Sequence, residues 1–220
     1  MKILISESQL NRVFKKDIDE LDTKDKPLKG SGSFHYVYDS KQNEDRVFKI
    51  ARPSDIDEWL SLFKGRPDIF PSVYRVGNTK VKLREPKNYI EFVDGEMKYV
   101  KHNVGDVVDA KYVELDKLNT IKAQNDWMQL DNAIVDMTED AWEFQDYVIH
   151  LILMYTNKGG DNDMVDAVNQ NMKVEHPEMV KTLDRFRTLI KKICELKKRP
   201  DLHIDNFGYD KDGTLKCLDV

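Results

Sequence analysis

The sequence predicts an α+β fold arranged as two lobes. β-favouring runs dominate residues 28–118 and enclose one helix, and helical periodicity takes over from Asn125. An Asp-Gly turn at 212–213 then sets a short hairpin at the end of the chain. That order places an N-terminal helix and linker over 1–26, a strand-rich lobe over 27–118, and a reduced helical lobe with its hairpin over 119–220.

Each element has a local reason. Ser6 with Gln9 fits a capping box, and Leu10, Val13, Phe14 and Ile18 recur at helical spacing before a charged stretch that ends at Pro27. Tyr36-Val37-Tyr38 and Arg46-Val47-Phe48-Lys49-Ile50 flank a polar connection and read as a hairpin. A helix follows, with Ile56, Trp59, Leu60 and Phe63 on one face and Ser54 as its N-cap. Asp55, Asp57 and Glu58 suit the positive end of its dipole, and Gly65 and Pro67 stop it. Runs at 72–76, 81–83, 89–93, 97–100 and 111–115 read as a strand meander, with Asp94-Gly95 as a hairpin turn. Further on, Trp142, Phe144, Tyr147, Val148 and 151–154 predict one buried helix, and Met179, Leu183, Phe186, Ile190 and Ile193 another. Between them Gly159-Gly160 marks a loop, with a short helix after it.

Composition narrows the function classes. Hydrophobic residues at 40% support a packed core, which argues against disorder. Lys and Arg total 35 against 40 Asp and Glu, so a chain of net charge −5 is a poor binder of nucleic acids or anionic membranes. No apolar run nears the ~20 residues that span a bilayer, and Ser6-Glu7 interrupts the opening apolar residues too early for a secretory leader. Cys194 and Cys217 are too few for a disulfide framework or a cysteine zinc site. A soluble, cytoplasmic protein with no nucleic-acid or membrane partner is expected.

Three segments carry chemistry. Gly30-Ser31-Gly32-Ser33-Phe34-His35 places two glycines between strands, where a backbone can approach a phosphate, although such a pair also makes a plain turn. No helix follows and no Gly-Lys-Ser/Thr is present, so Rossmann and Walker readings fail. Lys49 lies inside an apolar run and faces either solvent or an anion. In the C-terminal segment, Asn206 precedes the first strand of the Asp-Gly hairpin and Asp219 follows the second, so a hairpin brings them together. An amide oxygen beside a carboxylate suits Mg²⁺, and Asp201 could orient or deprotonate a hydroxyl. Asp205, Asp210 and Asp212 read as turn formers, His203 as a loop residue, and the three tryptophans as core.

Taken in order, the Gly-rich turn, the lysine on the third strand, the acidic helix, a hinge-like strand, Asp201-x-x-x-x-Asn206 and then Asp219 resemble the protein kinase-like superfamily over residues 28–219. Asp201-Leu202-His203 with Asn206 also looks like the loop of aminoglycoside phosphotransferases and other small-molecule kinases. The resemblance implies a two-lobed kinase-like fold that binds ATP with Mg²⁺ and transfers a phosphoryl group to a hydroxyl of a protein or small molecule. It implies that Gly30, Ser31, Gly32 and Ser33 cover the phosphates, that Val37 packs on adenine, and that the backbone of Glu114, Leu115 and Asp116 meets the adenine edge. Lys49 would hold the α- and β-phosphates, paired with Glu58 in competition with Asp55 and Asp57. Asp201 would be the catalytic aspartate, and Asn206 and Asp219 the metal ligands.

The departures from the family pattern have consequences too. His35 replaces a glycine, Arg199-Pro200 precedes Asp201 in place of His-Arg, and no Phe-Gly follows Asp219 before Val220. These leave two expectations open, a truncated chain or a minimal kinase-like unit. The rival in another class is a catalytically inactive pseudokinase that senses nucleotide or binds protein.

Overall fold

A computed structural model of the chain describes residues 30–31, 36–40, 43–63, 65–83, 86–93, 96–138, 142–196, 200 and 202–219. The helix expected within 1–26, the Asp94-Gly95 turn, Gly32, Ser33, His35, Arg199 and Asp201 lie outside them. The fold is mixed α+β. It divides into two units, the described part of Met1–Ser61 with Val73–Lys117, and Leu62–Ser72 with the described part of Leu118–Val220.

The first unit is built on a five-stranded antiparallel sheet. Its strands are β1 (Gly30–Ser31), β2 (Tyr36–Asp39), β3 (Arg46–Ala51), β4 (Val73–Lys82) and, after a separate two-stranded sheet of β5 (Lys87–Val93) and β6 (Glu96–His102), β7 (Val107–Asp116). The order across the sheet is β1-β2-β3-β7-β4. Central β3 is buried at five of its six positions: Val47, Phe48, Ile50 and Ala51, with Lys49 among them.

Two local expectations change here. The runs at 72–76 and 81–83 are one continuous strand, β4, because Gly77 does not break it. The glycine instead makes room for an aromatic ring, since a Cβ there would sit 2.5 Å from Cε1 of Tyr112. Helix α1 (Pro53–Phe63) starts two residues earlier than a Ser54 cap would allow. The Arg52 carbonyl accepts the first helical hydrogen bond from Ile56 N–H at 3.1 Å, leaving Pro53 at the first helical position, where its missing N–H costs nothing. Ile56, Trp59 and Phe63 are buried as their spacing predicts.

Four helices dominate the second unit: α2 (Thr120–Met137), α3 (Phe144–Tyr155), α4 (Asn162–Glu175) and α5 (Val180–Leu196). Of these, α2 packs on β8 (Phe207–Tyr209) and α5 on β9 (Leu215–Cys217) of the terminal hairpin, while α3 and α4 pack on the other helices. Trp127, Phe144, Phe186 and Phe207 form the centre, with ring centroids 4.6 to 5.7 Å apart and mostly edge-to-face. Helix α2 begins five residues before the expected Asn125. The polar residues of its first turns hide the periodicity, but the Asn119 side chain caps it, accepting from Lys122 N–H at 3.0 Å. The short helix foreseen after Gly160 is a full 14-residue element whose N-cap is Asp161. Trp142 precedes α3 instead of belonging to it. Among the described residues no helix is long and apolar enough to cross a membrane.

Candidate functional site

In the first unit, register gathers the residues around Lys49. Residues directly opposite each other in antiparallel strands share a face. Val37 pairs with Lys49, Lys49 with Val113, and Val113 with Val76, so these four form one row across β2, β3, β7 and β4. Lys49 is only 9% exposed, although it carries an ammonium. Helix α1 covers this face, with Trp59 placing its ring centroid 5.3 Å from the Lys49 Nζ. From the same helix Asp57 bonds Lys111 at 2.5 Å, and Lys111 lies two residues before Val113 and therefore on the same face. Asp55 takes both Nε and a terminal nitrogen of Arg52, at 2.8 and 2.9 Å. Glu58 is exposed.

The neighbouring row faces the other way. Tyr38, Phe48, Glu114 and Arg75 are paired in turn, and Glu114 is 2% exposed. Its carboxylate takes Arg75 Nε at 2.5 Å and lies 3.6 Å from Arg46. Arg46 stacks over Tyr74, whose hydroxyl donates to Asp116 at 2.6 Å. That bond to a carboxylate raises the Tyr74 pKa, with desolvation adding to it. Glu114 and Leu115 are paired on both sides within the sheet, and the strand runs out at Asp116. Gly30 and Ser31 form β1 opposite Val37 and Tyr36.

In the second unit the hairpin does what its turn chemistry predicts. Phe207 pairs with Cys217 and Tyr209 with Leu215, and Gly213 takes a φ of +75°, which glycine adopts without strain. Asp210 accepts from the N–H groups of Asp212 and Thr214 at 3.0 and 2.8 Å, a turn-forming role. At the open end, Asn206 closes a 3₁₀ turn (Ile204–Asn206) and its carbonyl accepts from Leu218 N–H at 2.7 Å. Asn206, only 8% exposed, is thus set against the residue preceding Asp219. The Cys217 thiol donates to the Asp219 carbonyl at 2.9 Å and fixes that backbone.

Further ties hold the hairpin in place. Tyr209 exchanges backbone hydrogen bonds with Asn119 at 2.7 and 3.2 Å, and its hydroxyl donates to Asp126 at 2.6 Å. Burial, reinforced by that carboxylate, pushes the Tyr209 pKa up to about 12. On the other strand, Cys217 N–H donates to the Ile69 carbonyl at 2.8 Å, and buried Lys216 reaches both the Pro67 carbonyl and Asp210. His203 is half exposed with Nδ1 3.9 Å from Asp205, and Asp205 also accepts from Gln124.

Two hard oxygen donors, the Asn206 amide and the Asp219 carboxylate, fit the small protein share that Mg²⁺ takes when phosphates supply the rest. Among the described residues no group of three or more His, Cys, Asp and Glu could hold a metal by itself. Trp59, read as core from the apolar spacing of α1, is buried there, whereas sequence reasoning missed Lys216, which nothing local marks. In comparisons with known proteins, no family model and no curated protein matches the chain.

Proposed function

We propose that this protein is an ATP- and Mg²⁺-dependent phosphotransferase of two-lobed, kinase-like fold that moves the γ-phosphoryl group to a hydroxyl. The observation that carries the reading is the Asn206–Leu218 hydrogen bond. It sets the backbone of Asn206 against Leu218, the residue before Asp219, at one end of a hairpin that follows Asp201 in sequence. This supports reading the Asn206 amide and the Asp219 carboxylate, thirteen residues apart, as a pair. The row of Val37, Lys49 and Val113 supports it, since an apolar strip beside an ammonium suits a nucleobase and its phosphates.

Lys49 binds phosphate oxygens in this reading. Asn206 and Asp219 would hold Mg²⁺, which when bound neutralises charge on the phosphates. Asp201 accepts the proton of the acceptor hydroxyl as its oxygen bonds to the γ-phosphorus. The bond from that phosphorus to the bridging oxygen breaks, and ADP leaves with the electron pair. The exposed position of Glu58 favours the second reading, a nucleotide-binding pseudokinase, because the resemblance pairs that carboxylate with Lys49.

Transfer from γ-labelled ATP to a panel of proteins and small alcohols, with Mg²⁺, tests both. Wild type transfers label, and Asp201→Asn loses roughly 10²–10⁴-fold in turnover while still binding ATP. Asp219→Asn weakens metal-dependent ATP binding as well. ATP binding without any transfer in wild type would favour the pseudokinase, and no ATP binding would end both readings.

A further inference from the structure

We infer that the outer face of α2 pairs antiparallel with the same face of a second copy of this chain. The inference does not depend on the phosphotransferase reading.

Helix α2 carries two stripes where a helix at the surface of a domain needs one. Ala123, Trp127, Leu130, Ala133 and Ile134 are buried in the second unit. On the opposite side Ile121, Asn125, Met128, Asn132 and Val135 follow one another by four and three residues, and all five are exposed. At about 100° per residue they fall within an arc of about 80°. Ile121 is 70% exposed, Met128 57% and Val135 39%. Single apolar side chains at a surface are ordinary, but three aligned on one helix make a strip that removal from water would stabilise.

The order of residues along the strip selects the occupant. It runs apolar, Asn, apolar, Asn, apolar in either direction, so a two-fold axis through the middle of the helix matches it to itself. The charges beside it obey the same symmetry. Along one flank stand Lys122, Gln129 and Asp136, each seven residues from the next and each exposed. An antiparallel copy sets Lys122 of one chain against Asp136 of the other, twice, and Gln129 against its own counterpart. Asn125 then lies alongside Asn132 of the other copy, and each amide offers the other a donor and an acceptor within an otherwise apolar contact.

A parallel copy would set this flank against the opposite one. There Asp131 accepts from Phe144 N–H at 2.6 Å and Gln124 donates to Asp205 at 2.9 Å, both within the chain. Lys122 remains exposed while its Nζ lies 4.5 Å from the Tyr209 ring centroid, so its ammonium serves both contacts. One helix face is smaller than the ~800 Å² per partner of a standard interface, which makes the dimer weak, with a Kd of about 10 µM to 1 mM.

Sedimentation equilibrium of the full chain from about 5 µM to about 1 mM tests this, with melting curves to show that each variant is folded. Wild type passes from monomer to dimer across that range. Met128→Glu and Ile121→Glu, both at exposed sites, keep the wild-type melting temperature. Each raises the dimer Kd at least ~10-fold, because a carboxylate replaces apolar surface at the contact. Lys122→Asp and Asp136→Lys each bring like charges together and raise the Kd about 3- to 30-fold. The double exchange Lys122→Asp/Asp136→Lys recovers most of that loss. It does not restore the Tyr209 contact, so the recovery reports pairing between copies and not the fold.

Wild type that stays monomeric at about 1 mM overturns the inference. So does association that Met128→Glu and Ile121→Glu leave unchanged, which places the contact on another face. A double exchange no tighter than the single variants overturns it as well, by removing the antiparallel pairing.

Discussion

Tyr209 carries more than its size as a core residue. Its hydroxyl donates to Asp126, its backbone is bonded to Asn119, and Lys122 Nζ lies 4.5 Å from its ring centroid. Losing the phenol leaves the Asp126 carboxylate without this donor, so Tyr209→Phe should cost about 1.5–3 kcal/mol at neutral pH, read by chemical denaturation. The pH dependence has a definite sign. The folded pKa of about 12 exceeds the ordinary value of 10, so the phenol's contribution is complete below pH 10 and is lost as pH rises from 10 to 12. Melting curves across that window should fall less steeply for Tyr209→Phe than for wild type. Tyr147, raised in the same direction by burial, leaves some alkaline loss in both. Cys194 behaves likewise as a buried thiol pushed up to about 11, and native protein at pH 8 should react with iodoacetamide far more slowly than unfolded protein.

Strands and helices differ in how openly the sequence announces them. The apolar runs of β2, β3 and β7 predict strands by composition alone, and the Asp-Gly turn fixes the C-terminal hairpin because its determinants are all local. The backbone pairing of Asn206 with Leu218 at the hairpin's open end was therefore readable. The row of Val37, Lys49 and Val113 was not, since it depends on β3 pairing with a strand some sixty residues later. Gly77 misleads for a related reason. A glycine between two short runs reads as a break, and only the ring of Tyr112 on the adjacent strand explains it. Gly77→Ala should then strain β4 against β7 and cost about 1–3 kcal/mol, whereas Gly77→Ala combined with Tyr112→Leu should recover part of that loss. Lys216 provides a second test at this scale. Replacing it with Met leaves the Pro67 carbonyl and Asp210 without their shared cation, and a stability loss of about 1–3 kcal/mol is expected by denaturant titration.

For the whole molecule, ligand linkage offers the broadest check. A ligand that binds only folded protein stabilises it by mass action, so MgATP at 100 times its Kd should add about 2.7 kcal/mol and raise the melting temperature. Lys49→Ala should shrink that rise by removing a charge from the phosphates, and chelation of Mg²⁺ should shrink it in wild type.

The division of the chain has a consequence for inheritance. Residues 62–72 belong with the helical unit, yet they interrupt the strand-rich one in sequence. Their carbonyls at Pro67 and Ile69 receive Lys216 and Cys217 of the terminal hairpin. A crossover in the gene near codon 118 would hand the helices to a new neighbour without the strip that braces β9. Recombination that swaps halves is therefore penalised, and the two units should be passed on together or not at all.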